Sequence, residues 1–128
     1  MTDPVSEAAP GLTHVRADGS AHMVDVSAKP ITAREASAAG RVELSPAAVA
    51  ALRGGTVPKG DALAVARIAG LQAVKRTPDL IPLAHPVALH AASVDLSVDD
   101  AGVEIRATVR TADRTGIEME ALTAVAVA

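Results

Sequence analysis

At 128 residues the chain has room for one hydrophobic core and not two. Twelve basic and fifteen acidic side chains leave a net charge of −3, which argues against a general nucleic-acid binder. It has no cysteine, so disulfides, thiol catalysis and cysteine-based zinc sites are excluded, and no apolar run of the ~20 residues that cross a bilayer. The opening Met-Thr-Asp-Pro does not read as a signal peptide, and a cytoplasmic protein without membrane partners is expected. Hydrophobic residues make up 49%, but alanine supplies 29 of them, valine 16, and Phe, Tyr and Trp none. Small side chains bury little area each, at roughly 25 cal/mol per Å². The composition therefore predicts a thin core completed by burial between subunits.

Residues 1–11 carry two prolines and no periodicity and are expected to form a disordered tail, leaving 12–128 as a single α+β domain. Asp18-Gly19 reads as a turn and Met23–Val26 as an extended piece. Ile31–Leu44 is expected to be strand, broken at Gly40. Ser45-Pro46 supplies an N-cap hydroxyl and a first-turn proline for a short helix that runs to Arg53 and stops at Gly54-Gly55. Asp61–Arg76 is the strongest helical pattern, capped by Asp61 and ended by Pro78. Being apolar nearly all round, it predicts a buried helix. Val94, Leu96 and Val98 alternate with polar residues, as do Val103, Ile105, Ala107 and Val109. With turn chemistry at 99–102 between them, these form an antiparallel hairpin with one buried face. Thr115, followed three residues later by Glu118, reads as a capping box opening a helix at Gly116. That helix reaches Ala128 without a polar exit, so the domain is expected to lack its C-terminal end.

The polar residues at element ends are where chemistry could lie. Lys59, two residues before the Asp61 cap, is placed to meet an anion at a helix start, or else is a solvated loop lysine. Lys75 and Arg76 stand where basic residues complement a helix dipole. His85 is presented by a loop stiffened by Pro82 and Pro86; its imidazole can move a proton, ligate a metal, or be merely structural. His14, His22 and His90 make no metal-ligand spacing with it, which argues against zinc and for no resident metal. Glu118 is accounted for as a capping residue, whereas Glu120 points elsewhere and is free to face a pocket as acid, base or acceptor. Taken by themselves, these residues read as an anion-binding α+β oligomer.

Three stretches in order, LTHVRADGSAHMVDVSAKP, PKGDALAVARIAGLQAVKRTPDLIPLAHP and RTGIEMEALTAV, closely resemble the molybdenum-cofactor biosynthesis protein C family, the cyclic pyranopterin monophosphate synthases. The resemblance covers 12–128. It implies a pyrophosphate-releasing phosphorus–oxygen lyase that converts 3′,8-cyclo-7,8-dihydroguanosine 5′-triphosphate to cyclic pyranopterin monophosphate. It also implies a ferredoxin-like fold, an antiparallel sheet packed against helices, in a homohexamer built as a trimer of dimers with active sites at subunit interfaces. Lys59 matches the family's essential lysine, and His85 and Glu120 complete the implied catalytic set. Leu83, Ala84, His85, Met119 and Glu120, with Arg34 and Lys75, match substrate-contacting positions, and Asp25, Arg67, Arg76 and Glu118 are implied supports. No cofactor is implied, although Mg²⁺ could accompany the triphosphate. Ala84 stands where the family usually has cysteine, so thiol chemistry is not essential here. The family runs about 30 residues or more beyond the equivalent of Ala128 and carries there a catalytic aspartate and lysine. The 128-residue chain by itself is therefore expected to bind but not convert, and the alternative reading is a non-catalytic oligomeric nucleotide-binding protein of the same family.

Overall fold

The alternation of apolar and polar residues over 94–109 folds as the pattern dictates. In the computed structural model, which describes residues 13–128, β2 (Ala91–Asp99) and β3 (Gly102–Asp113) form an antiparallel hairpin. The tail expected over 1–11 lies outside the described residues. Leu96 faces Ile105 and Val94 faces Ala107 across the pair, with Val103, Ile105, Ala107 and Val109 buried. Asp99 closes the turn by accepting the Ala101 and Gly102 amides at 2.9 Å. β1 (Thr32–Glu43) pairs antiparallel along the other edge of β3, giving the order β1–β3–β2.

Three helices follow β1. Ser45 caps α1 (Pro46–Gly54) through the Ala48 amide, and Gly55, at φ 66°, ends it in the left-handed region that glycine alone adopts freely. Asp61 caps α2 (Ala62–Lys75) through the Ala64 amide at 3.1 Å. After Arg76 comes the single turn α3 (Thr77–Leu80), and after the hairpin comes α4 (Glu118–Val127). Helices α2 and α4 pack together on the inner face of the sheet around Val74, Ile117, Ala121 and Ala124. The result is an α+β, ferredoxin-like arrangement.

Three expectations are corrected. Gly40 does not break β1, which runs unbroken past it. A Cβ there would stand 2.6 Å from Val125 Cγ1, so the glycine lets α4 lie against the strand. The 61–76 helix is not buried all round, because only one stripe, Gly70, Ala73 and Val74, reaches the core. Val65 and Ile68 on its other side are 60% and 57% exposed. As expected, α2 ends ahead of Pro78, which itself sits in the first turn of the separate α3, where its missing N–H costs nothing. Finally, Thr115 and Glu118 form no capping box: the N-cap of α4 is Ile117, without a side-chain bond. Burial decides this, since Ile117 is 1% exposed and its docking into the core sets where the helix begins.

Candidate active site

The segment before β1 doubles back at Asp18-Gly19. Gly19 takes φ 87°, Asp18 accepts the Ser20 amide at 2.9 Å, and Val15 bridges to Ala21. This brings His14 beside His22, whose amide bonds to the His14 carbonyl at 2.8 Å, and carries Val24 to the loop that presents His85. That loop is lashed to the end of β3: the Ala88 amide donates to Asp113 at 2.8 Å, and Thr111 Oγ1 donates to the Ala88 carbonyl.

His85 Nε2 meets the Val24 carbonyl oxygen, which can only accept. Nε2 therefore carries a proton, and in the neutral ring Nδ1 holds the lone pair. The His85 ring is half-buried between two cavities. One, of about 190 Å³, is lined by His14, Leu83, Ala84, His85, Thr115, Gly116, Glu118, Met119 and Glu120. The other, of about 500 Å³, is lined by residues 23–27, His85, Pro86 and 113–115. Asp25 belongs to the second; its carboxyl is held below the usual range by the Ser27 amide and hydroxyl, with His85 adding to the effect.

Glu120 is the chemically pointed group. It is only 3% exposed, and its Oε2 has no hydrogen-bond partner among the described residues. Burial pushes its carboxyl above the ordinary value, and the charge of Glu118 acts in the same direction. A carboxyl held protonated closer to neutrality beside an imidazole of fixed tautomer suits proton transfer to a bound ligand. Among the described residues no group of three or more His, Asp or Glu side chains is arranged to hold a metal ion.

The fold thus gathers Leu83, Ala84, His85, Met119, Glu120 and Glu118 from two separate segments into one pocket. It does not bring the remaining residues there. Lys59 sits on an exposed turn, with Gly60 at φ 97°, beside an apolar cleft of about 580 Å³ lined by residues of α2 and the end of α4. That lining shares no residue with the His85 pocket. Lys75 lies by His90 in a fourth, separate depression. Arg34, opposite Thr111 in the sheet, has a buried Nε without a hydrogen-bond partner among the described residues. Arg67 donates to the Val94 carbonyl at 2.9 Å and ties α2 to β2, while the exposed Arg76 separates α2 from α3. His14, conversely, lines the pocket although spacing does not single it out; its link to His85 exists only in three dimensions.

The fold is that of a ferredoxin-like α+β protein whose pocket sets an imidazole and a buried carboxyl on one cavity. The chain belongs to the MoaC family, whose model matches residues 23–128. It is 60% identical over 134 residues to a Streptomyces avermitilis protein named cyclic pyranopterin monophosphate synthase, the match covering 100% of this chain and 79% of that one. It is 64% identical over 117 residues to the Streptomyces coelicolor protein of the same name, covering 91% of this chain and 69% of the relative. A Mycobacterium tuberculosis protein named cyclic pyranopterin monophosphate synthase 2 is 56% identical over 117 residues, covering 91% and 70%.

Proposed function

We propose that this protein is a cyclic pyranopterin monophosphate synthase, a lyase of molybdenum cofactor biosynthesis acting on a nucleotide-derived small molecule. The observation that carries the reading is the convergence of Leu83, Ala84 and His85 with Met119 and Glu120 in one pocket, in a chain 60% identical to a protein of that name. The substrate is 3′,8-cyclo-7,8-dihydroguanosine 5′-triphosphate. A triphosphate that becomes a cyclic monophosphate must have a hydroxyl oxygen attack its α-phosphorus, forming one P–O bond and breaking another as pyrophosphate leaves. His85 Nδ1 and the Glu120 carboxyl are the groups that take and return protons as the ring system opens and recloses. Arg34, Lys59 and Lys75 counter the phosphate charge, and any Mg²⁺ arrives with the triphosphate. Because the cleft beside Lys59 is separate from the His85 pocket within one chain, a neighbouring subunit of a hexamer supplies this lysine.

Lys59→Ala tests the reading. The exposed substitution leaves the far-ultraviolet dichroism unchanged while pyrophosphate release from the cyclised nucleotide falls by about 10²-fold or more, the scale of one acid–base group. Wild-type turnover by this variant would remove Lys59 from the site. Binding without any release by the unmutated protein would identify the non-catalytic member of the family instead.

A further inference from the structure

His14 has no part in the function proposed above, yet it lines the pocket with His85, Glu118 and Glu120, its ring centroid 6.4 Å from that of His85. Its two nitrogens differ in surroundings. Nδ1 lies 3.1 Å from the His22 carbonyl oxygen, and the Val24 amide N–H is directed at the same nitrogen from 3.4 Å. One nitrogen cannot donate and accept at once, and the shorter contact is to the carbonyl; Nδ1–H therefore donates to His22 and the lone pair resides on Nε2. Nε2 has no hydrogen-bond partner among the described residues. An imidazole pinned by a backbone carbonyl on one nitrogen, with the other left for a cavity, is held as acid–base imidazoles are held. Among the other residues lining the same pocket, the buried Glu120 Oε2 also lacks a partner within the described residues.

We propose that His14 is a second acid–base group of this pocket, offering Nε2 to the anionic nucleotide and taking up a proton as the ligand binds. The proposal rests on the reading of the pocket as the nucleotide site. Protonation at Nε2 keeps the bond to His22 and adds a positive charge facing the ligand. The titratable groups around it are His22 on its own segment, His85 from the preceding loop of β2, and Glu118 and Glu120 from α4.

Calorimetric titration of the 128-residue chain with the cyclised nucleotide, across the imidazole range of about pH 5.5–8.5, tests this without requiring turnover. Two variants separate anchoring from proton chemistry. His14→Asn places an amide nitrogen where Nδ1 stands, so the bond to His22 survives while Nε2 is lost. His14→Gln reaches the Nε2 position and gives up the anchor. In the unmutated chain affinity rises as pH falls. In both variants the slope of log affinity against pH drops by up to about one, the equivalent of a lost tenfold gain per pH unit. A His14→Asn chain with the unmutated slope overturns the proposal and leaves His14 as a structural tether. An unmutated chain that binds no nucleotide at any pH overturns the functional reading itself, and the role of His14 with it.

Discussion

Glu120 and its unpaired Oε2 show how far a single residue is governed by what surrounds it. Its position two residues past Glu118 marks it in the sequence as a group free to face a pocket, and the structure puts it there. What the sequence does not carry is its burial, which depends on α4 docking against β1 and β3. The raised carboxyl has a thermodynamic consequence. Between its ordinary value of 4.5 and the raised value, the folded chain binds more protons than the unfolded one, so stability falls as pH rises through that window. Glu120→Gln keeps the shape and removes the buried charge. It should stabilise the fold at pH 7 by roughly 1 kcal/mol, the scale of relieving one buried unsatisfied polar group. The gain should shrink toward acid, and conversion should fall by about 10²-fold. Thermal melts at neutral and acid pH check this; a lower midpoint at neutral pH would show that the carboxylate is held by favourable contacts instead. His14 lies at the opposite limit of legibility, because seventy-one residues separate it from His85 and only the path of the chain through Val24 joins them.

Among the elements, the hairpin was readable because strict two-residue alternation over both strands has a single solution once one face is buried. Helices α1 and α2 were readable because Ser45 and Asp61 act locally, on amides three residues away. The start of α4 was not, because tertiary burial of Ile117 overrides the local bond that Thr115 could have made. Gly40 follows the same rule. Read locally it is a strand breaker, but in the fold it makes room for Val125 of α4 against the strand. Gly40→Ala should therefore destabilise by about 1–3 kcal/mol through overpacking against Val125. Val125→Ala, which clears the space, should make the double variant more stable than the two single effects add up to, by about 0.5 kcal/mol or more. Urea titration of the four proteins measures the coupling, and strict additivity would mean that the helix shifts away at no cost.

For the whole molecule the composition sets the terms. The buried apolar set consists of alanine, valine and two isoleucines, and Val65 and Ile68 remain largely exposed on α2, Val65 lining the cleft that Lys59 borders. An apolar surface of this kind is what a partner subunit covers. Sedimentation at micromolar concentration should therefore find a hexamer, or at least a dimer, and unfolding should depend on protein concentration. A monomer that unfolds cooperatively at the same concentration would show that the thin core suffices by itself. The largest fully buried side chains are Ile117, Val74, Val109 and Thr77, so the interior holds no aromatic ring. With Phe, Tyr and Trp absent, the four imidazoles are the aromatic groups of the entire chain. The protein is consequently almost transparent in the near ultraviolet and dark in fluorescence. In a proton resonance spectrum in heavy water, with the amide protons exchanged away, its aromatic window contains histidine signals and nothing else. Two of those four rings, His14 and His85, touch the backbone of Val24 at the pocket wall, so an arriving nucleotide would be seen against an empty background, by the very groups proposed to exchange protons with it.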